Sequence, residues 1–506
     1  MARTIKRSVA VSTSPLKDEA ARLRTLADAM TAAVPDSQEG FLQPWRDKLD
    51  GWLSNPRLES FVGEQALESL ALELRYQWLH HAHAQSGKFL MSPPHRQRKY
   101  LPDQAAISFP YDRWLRPEGL EHRLNVQQPA PVGWVGSSVV FASGMAALTT
   151  FLQHFRAAAD RFWPPKRRTR ALHWFGGYFE ITRALRLLCD DAFSGRRHSR
   201  QETLFDVVAA GGGDVVLIEP VAADLHLEVF DVDGFVDAWN KREATRPCVI
   251  VLDTSLVGDS FPVQHFCEAL GKAPQPPVLV VQIRSGLKLD QQGLELANVG
   301  LATLYAPTAD AQMLEQFSDS LRLARTTFGA SLSQDEYAAL SAPFFLDAAS
   351  FNQHAQAVLA NNAAFAQALA PVSGGLLTEV IHPVLGPDAG RAWAVSPFVN
   401  LRYASGEEDD RGFLHALLTL EAQKRALTFQ SGSSFGFRGH RYEMGFVRGV
   451  KFDTLRVALG SRAGPSLNGV IQLFQDLAAY PDFAALRAAY PQINGPTPKA
   501  PILANS

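Results

Sequence analysis

Gln282-Ile283-Arg284-Ser285-Gly286-Leu287-Lys288 joins the end of an apolar run, Val278 to Ile283, to a lysine. Such a run, with a Gly/Pro loop before it and a Ser-Gly pair after it, predicts a buried strand that ends just ahead of Lys288. The other lysines between Gly271 and Ala500 are Lys272, which lies in that Gly/Pro loop, Lys424, Lys451 and Lys499. Lys288 is therefore the only lysine expected just beyond a buried strand in this part of the chain.

Apolar runs of strand length recur on both sides of this stretch and alternate with segments of helical periodicity. This alternation predicts an α/β domain with a mostly parallel sheet and helices on both faces. Ligands bind such sheets at the carboxyl ends of the strands, so Ser143, Asp253 and Lys288 would share one edge. The expected strands are Gly136 to Ala142, Ala171 to Phe175, Val215 to Glu219, Cys248 to Asp253, Val278 to Ile283 and Gly300 to Pro307.

The whole chain is expected to have four parts. Residues 1–104 form a helical N-terminal extension, residues 105–345 a large α/β domain, residues 346–490 a smaller α+β domain, and residues 491–506 a loose tail. In the extension, Leu42 to Leu53 and Leu58 to His83 have amphipathic helical spacing. Further expected elements are the helices Ser350 to Ala370, Gly412 to Lys424 and Ser466 to Tyr480, and the strands Trp393 to Leu401, Leu427 to Phe429 and Thr454 to Ala458.

The composition excludes several classes of partner. A net charge of −2 gives no electrostatic case for nucleic acid or an anionic membrane. No apolar run reaches the roughly 18 residues of a membrane span, and no apolar segment follows the basic N-terminus as in a secretory signal. The three cysteines have no Cys-x-x-Cys spacing, which favours a reducing compartment and a cytoplasmic location.

The segment His80-His81-Ala82-His83 resembles a metal-binding cluster only superficially. Three histidines within four residues cannot all face one side of a helix. No acidic or cysteine partner lies nearby in the sequence to complete a ligand set. We therefore expect no metal and interpret the histidines as a solvated helix end.

The turn Ser143-Gly144-Met145 opens an apolar helix that includes Ala146 and Leu148. A helix N-terminus offers unpaired N–H groups and the positive end of the helix dipole, and Gly144 lets the backbone approach an anion closely. The turn is thus a candidate phosphate site. The alternative is an ordinary N-cap.

Asp253 ends an apolar run, where a carboxylate is costly to bury without a cationic partner. Phosphate turn, strand-end acid and lysine occur in the order in which a pyridoxal phosphate (PLP) enzyme presents them. The cofactor needs an anion site, a carboxylate for its pyridinium nitrogen and a lysine for its aldehyde. Lys288 would carry the cofactor and move the substrate Cα proton. Taken singly, Asp253 could cap the next turn and Lys288 could be a surface lysine.

Arg456 lies within the apolar run Leu455 to Leu459. An arginine there requires an anion that can accept two hydrogen bonds, and a substrate α-carboxylate fits. We assign Arg456 and Ser434 to substrate binding. A structural salt bridge is the alternative for Arg456.

Several segments resemble the cysteine/methionine-metabolism family of fold-type I PLP enzymes, over roughly residues 105–465. Family motifs are recognisable in Tyr111-Asp112-Arg113, Ser143-Gly144-Met145-Ala146-Ala147, Phe175-Gly176-Gly177, Glu219-Pro220, Asp253-Thr254, the spacing of Ser285 and Lys288, and Leu455-Arg456-Val457. The resemblance implies a mostly parallel seven-stranded sheet flanked by helices, with a smaller C-terminal domain.

The resemblance also implies roles for single residues. Gly144, Met145 and Ser285 would bind the phosphate, and Tyr111 and Arg113 would reach the phosphate of a neighbouring subunit. Phe175, or Tyr178 as the second candidate, would stack on the pyridine ring. The assembly would be a homodimer or a tetramer of dimers.

The sequence departs from the family around the lysine. Leu287 stands where a hydroxyl residue is usual, and Leu289-Asp290-Gln291-Gln292-Gly293-Leu294-Glu295 replaces the family's Gly-His-(Ser/Gly)-Asp segment. We expect a PLP enzyme that removes or replaces a group at Cβ or Cγ of an amino acid, with S-adenosylmethionine as one candidate substrate. The alternatives are an aminotransferase, favoured by Gly432-Ser433-Ser434-Phe435-Gly436, and a scaffold of this fold that has lost catalysis.

Overall fold

The computed structural model describes residues 14–35, 40–94, 99–163, 168–243, 246–404, 408–445 and 452–493. The basic N-terminus and most of the expected tail lie outside these ranges. The helices are α1 Pro15–Ala32, α2 Gln43–Leu53, α3 Phe61–Ser86, α4 Glu118–Gln127, α5 Gly144–Phe162, α6 Phe179–Leu188, α7 Gln201–Ala209, α8 Val232–Asn240, α9 Val263–Gly271, α10 Ala311–Thr327, α11 Gln334–Leu340, α12 Ala348–Leu369, α13 Glu408–Lys424, α14 Pro465–Ala478 and α15 Phe483–Ala489. The strands are β1 Lys99–Tyr100, β2 Ala106–Ile107, β3 Trp134–Phe141, β4 Arg170–Phe175, β5 Phe193–His198, β6 Val215–Ile218, β7 Val249–Asp253, β8 Leu279–Ser285, β9 Gly300–Pro307, β10 Leu377–Ile381, β11 Val399–Ala404, β12 Phe429–Ser431, β13 His440–Gly445 and β14 Phe452–Ala458.

A seven-stranded sheet in the order β3-β9-β8-β7-β6-β4-β5 forms the centre of the molecule. Strand β9 is antiparallel to both of its neighbours, and the other paired strands are parallel. The expected mostly parallel α/β sheet is confirmed. Strand β5 was not predicted, because this edge strand exposes Ser194 to Arg197 and so lacks an apolar run.

Alternate residues of the central strands serve two separate cores. Val216 and Ile218 of β6 pack with helices α7, α8 and α9 on one face. Val215 and Leu217 pack with α5, α6 and α10 on the other face. Because successive side chains of a strand point to opposite faces, a continuous apolar run is what a sheet covered on both sides requires.

A second sheet, in the order β10-β11-β14-β13-β12, carries the C-terminal part of the chain. Helices α12, α13 and α14 contribute to its core. The strand expected from Trp393 begins later, at Val399, because the Trp393 indole instead donates a hydrogen bond to the Phe230 carbonyl at 3.0 Å. Strands β10 and β13 were missed, since Thr378, Glu379 and Arg441 interrupt their apolar pattern.

Helices α1, α2 and α3 share one hydrophobic core, in which Trp45 and Trp78 are fully buried. The Trp78 indole donates to the Ala339 carbonyl at 2.8 Å and so links this helical unit to α11. Leu294 and Leu296, which follow Lys288 in the sequence, also belong to this core. His81 stacks on Phe41 with ring centroids 4.6 Å apart.

Three further observations concern the described residues. None of the helices in the described ranges is both long and apolar enough to cross a membrane. All three cysteines are free thiols: Cys248 and Cys267 are buried, and Cys189 is partly exposed. The described residues contain no group of His, Cys, Asp and Glu arranged to hold a metal ion.

Candidate active site

The N-terminus of α5 lies against the end of β8. Ser143 caps the helix, and its hydroxyl oxygen accepts the Ala146 N–H at 3.0 Å. A Cβ added to Gly144 would lie 3.2 Å from the Ser285 Cβ, so only glycine gives this close approach its full space. The N–H groups of Gly144 and Met145 lie in the first turn and have no partner within the helix.

Asp253 is the last residue of β7, which is parallel to β8. On β8 the residue that pairs with Asp253 is Ile283. Its Oδ1 accepts the Ser255 N–H at 2.9 Å, and the Ser255 hydroxyl accepts the Ser285 N–H at the same distance. Burial raises the pKa of the Asp253 carboxyl, and hydrogen bonds from Ser255 oppose that rise. No Lys, Arg or His among the described residues forms an ion pair with Asp253, so its cation is still to be supplied.

Lys288 is partly buried and points to the loop between β12 and β13. Its Nζ donates a hydrogen bond to the Ser434 hydroxyl and lies 5.3 Å from the centre of the Phe435 ring. Burial lowers the pKa of the Lys288 ammonium; Glu180 and Glu295 oppose this effect, and Arg456 and Arg441 add to it. A lowered pKa increases the neutral, nucleophilic fraction of the amine.

Arg456 belongs to β14 in the second sheet. Its guanidinium lies 4.3 Å from the centre of the Phe398 ring, and Nη1 is 3.5 Å from Oε2 of Glu443. The buried Nε has no hydrogen-bond partner within the described part of the chain. The ion pair with Glu443 is long, and the guanidinium therefore keeps donors available for a further anion.

The end of β4 places two aromatic residues in different environments. Phe175 is 2% exposed and packs in a core with Phe230, at a ring distance of 5.4 Å. The Tyr178 hydroxyl donates to Oε2 of Glu180 at 2.6 Å. Burial raises the pKa of Tyr178, as do Glu180 and Asp253. Tyr178, rather than Phe175, therefore shares an electrostatic environment with the other candidate residues.

Glu219 holds this turn in place. Its carboxylate accepts N–H groups from Gly177, Tyr178 and Ala223 at 2.9, 3.1 and 2.7 Å. Burial, with Asp253 adding to it, raises the pKa of the Glu219 carboxyl to about 7. A Cβ at Gly176 would lie 2.3 Å from the Glu219 Cδ, so the glycine is required where it stands.

The segment that follows Lys288 contributes to a buried cluster of charged residues. Asp290 forms a buried ion pair with Arg284, at 2.7 Å, and Arg284 also pairs with Asp259 at 2.8 Å. Burial raises the pKa of the Asp290 carboxyl to about 6 even though Arg284 opposes the rise. Sequence reasoning missed this cluster, because the partners come from three separate loops and strand ends.

Tyr111 and Arg113 lie apart from this group. Tyr111 precedes a short 3-10 turn, Asp112–Trp114, that contains Arg113, and both side chains are exposed, with Tyr111 at 47%. The Arg113 guanidinium lies 5.2 Å from the Tyr111 ring. Within the residues described for this single chain, no hydrogen bond or ion pair connects them to the α5 turn or to Lys288.

Comparison with known proteins supports the fold. A scan of protein-family models and a search of curated proteins found no match. Among solved structures, a cystathionine gamma synthase from Xanthomonas oryzae pv. oryzae in complex with cystathionine matches with a TM-score of 0.53 and 16% identity, over 79% of this chain and 98% of that one. An apo methionine gamma lyase from Micromonospora echinospora gives 0.53 and 16%, over 77% and 91%. Cystathionine gamma-lyase from yeast gives 0.53 and 15%, over 79% and 98%.

These similarities confirm the predicted fold-type I architecture. It consists of a mostly parallel seven-stranded sheet and a smaller second sheet. At such low sequence identity the similarity shows the fold alone. The roles of individual side chains must therefore be argued from the geometry of this chain.

Proposed function

We propose that the chain is a PLP-dependent enzyme that removes or replaces a group at Cβ or Cγ of an amino acid. The observation that carries this proposal is the position of Lys288, a partly buried amine with a lowered pKa. It follows the strand that lies beside Asp253 and the N-terminus of α5. These are the three groups that PLP requires.

The cofactor phosphate fits the turn at α5. The free N–H groups of Gly144 and Met145 point along the helix axis, where the positive dipole end favours an anion. The Ser285 side chain lies next to Gly144 and adds a hydroxyl from the facing strand end. Ser143 contributes its position as the N-cap, because its hydroxyl oxygen already accepts a hydrogen bond from Ala146.

The pyridinium nitrogen would be the missing cation of Asp253. A buried carboxylate with a raised pKa gains most from a cationic partner that also donates a hydrogen bond. We assign the stacking position to Tyr178, because Glu219 fixes its backbone and its hydroxyl is held by Glu180. Phe175 would then support the core beneath this turn.

When bound, PLP supplies an electron sink for breaking bonds at the substrate Cα and Cβ. Lys288 would hold the cofactor and, once displaced by the amino acid, take the proton from the substrate Cα. Its lowered pKa suits that role, since a general base works best when its pKa is close to the working pH. Arg456 and Ser434 would bind the α-carboxylate, with the Arg456 Nε as an available donor.

The complete site would need a second copy of the chain. Tyr111 and Arg113 are exposed here, and in a homodimer they would supply a hydroxyl and a guanidinium to the phosphate of the partner's site. A dimer or a tetramer of dimers would satisfy this requirement. The three free thiols fit a reducing compartment, and we infer a cytoplasmic location.

The test is a substrate panel with the purified protein reconstituted with PLP. The panel contains amino acids with leaving groups at Cβ or Cγ, including S-adenosylmethionine as the candidate sulfonium substrate. Elimination releases the leaving group, ammonia and a 2-oxo acid without any added amino acceptor. Replacement forms a new bond at Cβ or Cγ when a nucleophile is added, which mass spectrometry detects.

Each alternative gives a different result. An aminotransferase would retain the leaving group and pass the amino group to an added 2-oxo acid without releasing ammonia. A scaffold without catalysis would show no conversion of any amino acid. Lys288→Ala is the matched control. Free PLP in solution still reacts slowly with amino acids in the presence of this variant, whereas turnover that depends on the lysine is lost.

A further inference from the structure

The segment Lys288 to Leu296, which we call the lysine segment, has an unusual backbone. Gln292, Gly293 and Glu295 have φ values of 55°, 69° and 50°, in the left-handed region. For the two residues other than glycine this conformation is strained, and it persists only where neighbouring structure holds it. The contacts that hold this segment are therefore informative about what positions Lys288.

Helices α1 to α3, which we call the N-terminal helical unit, supply the first set of contacts. Leu294 and Leu296 are 2% and 5% exposed and pack within the core of that unit. Arg75 of α3 donates to the Glu295 carbonyl from Nε at 3.1 Å and from Nη2 at 2.9 Å. One strained residue is thus fixed from both sides, by two buried leucines and by a guanidinium.

Glu19 of α1 supplies the second contact, through Arg438. The Arg438 Nη1 donates to the Gln292 carbonyl at 2.9 Å, and its Nε donates to Oε1 of Glu19 at 2.8 Å. A Cβ added to Gly293 would lie 2.6 Å from the Arg438 backbone nitrogen, so the two segments are in close contact. Glu19 is fully buried.

Neighbouring arginines keep the Glu19 carboxyl ionised. Burial alone would raise the pKa of its carboxyl, but Arg438, Arg22 and Arg462 outweigh burial and hold the pKa at about 2. Glu19 is therefore ionised at neutral pH. An ionised carboxylate fixes a guanidinium more strongly than a neutral acceptor does, because charge-assisted hydrogen bonds are the stronger ones.

Arg438 belongs to the same loop as the residues around Lys288. Ser434 accepts the hydrogen bond from Lys288, and a Cβ at Gly436 would lie 2.3 Å from the Lys288 carbonyl oxygen. His354 of α12 holds the Gly436 carbonyl at 2.8 Å. The loop thus lies along the lysine segment from Lys288, which contacts Ser434, to Gln292 and Gly293, which contact Arg438.

We propose that the N-terminal helical unit is a positioning element of the active site, in which Glu19, acting through Arg438, and Arg75 hold the backbone that sets the direction of Lys288. The inference rests on the proposed function only in taking Lys288 as the reacting amine. Glu19 and Arg75 are positioning residues, since neither touches the reacting atoms.

The test uses two variants and a matched control in the full-length chain. Arg75→Met keeps the length of the side chain and removes the two bonds to Glu295. Glu19→Gln keeps the shape and removes the charge. Gln65→Met is the control: the Gln65 amide of α3 donates to the Ala426 carbonyl at 3.1 Å and so also ties the unit to the C-terminal part, but no hydrogen bond among the described residues connects it to residues 288–296.

The first measurement is amide hydrogen exchange of residues 286–296, followed by mass spectrometry of the peptides. Losing contacts of this kind should speed exchange in that segment by about 10-fold in Arg75→Met and in Glu19→Gln. Gln65→Met should leave exchange there unchanged. Equal exchange in the wild type and both test variants, or the same acceleration in the control, would overturn the proposal.

The second measurement is the rate at which added PLP forms the absorbance band of the lysine-bound cofactor. It should fall in both test variants and keep its wild-type value in the control. If the wild type binds no PLP, the proposed function fails, and hydrogen exchange still decides whether the unit holds the segment. If the wild type binds PLP and the variants load at the wild-type rate, positioning of Lys288 is refuted while the proposed function stands.

Discussion

The Lys288 Nζ donates a hydrogen bond to the Ser434 hydroxyl, and so joins the end of a central strand to a loop of the second sheet. The residue thus lies between two structural layers and not on the surface of one. Burial lowers the pKa of the Lys288 ammonium. The first prediction concerns this amine.

Borohydride reduction of the protein with bound PLP should fix the mass of the reduced cofactor on the peptide that contains Lys288. Lys288→Ala should lower turnover by at least about 10²- to 10⁴-fold, the usual contribution of a positioned acid–base group. Lys272→Ala is the control, since that lysine follows α9 in a loop. An adduct on Lys272 or Lys424 would refute the assignment.

Arg456→Ala should weaken amino-acid binding by about 10- to 100-fold, because a hydrogen bond to a charged group contributes roughly 1.5–3 kcal/mol. Arg456→Lys should recover little, since a point charge cannot reproduce the planar fork. Substrate titration of the cofactor spectrum measures both. Arg402→Ala, on the neighbouring strand, removes a pair with Glu379 and serves as control. Normal binding by Arg456→Ala would make the arginine a structural ion-pair member.

Mixing an Arg113→Ala chain with a Lys288→Ala chain should restore a fraction of the lost activity. If each site takes Arg113 from its partner, the mixed dimer contains one site with both groups. Subunit exchange is verified by mass spectrometry of differently tagged chains. Verified mixed dimers without activity would show that Arg113 and Lys288 of one chain serve the same site.

The pH dependence of stability should reveal the Glu19 pair. Burial would raise the pKa of the Glu19 carboxyl, but Arg438 and Arg22 outweigh it and hold the pKa at about 2, below its ordinary value of 4.5. A depressed pKa stabilises the folded state above pH 4.5, and the stabilisation, about 3 kcal/mol by linkage, is lost as the pH falls toward 2. The difference in unfolding free energy between wild type and Glu19→Gln should therefore shrink below pH 4.5. Chemical denaturation at pH 7, 5 and 3.5 measures it, and a constant difference would contradict the pair.

Much of the central sheet could be predicted, because strands covered on both faces need continuous apolar runs. All six expected strands begin and end within two residues of the observed strands, and Gly300–Pro307 matches at both ends. Edge strand β5 and the alternating strands β10 and β13 carry weaker signals. The roles assigned to the site residues stay predictions.

The contacts around Lys288 could not be predicted. Glu19 and Arg438 are 419 positions apart, and Arg75 and Glu295 are 220 positions apart. No periodicity or local motif indicates which of many charged residues will meet over such separations. The choice between Phe175 and Tyr178 was open for the same reason, since it depends on which side of the β4 end faces the core.

These long separations have a consequence for how the molecule assembles. The helices α1 to α3 leave the ribosome before the backbone they hold, which is synthesised about 200 residues later, and Arg438 follows later still. Contacts between positions far apart in the sequence form slowly, because the intervening chain loses conformational entropy when they form. The lysine segment should thus acquire its final shape among the last steps of folding, so that a nascent or N-terminally cleaved chain would have its strands in order before it could capture a cofactor.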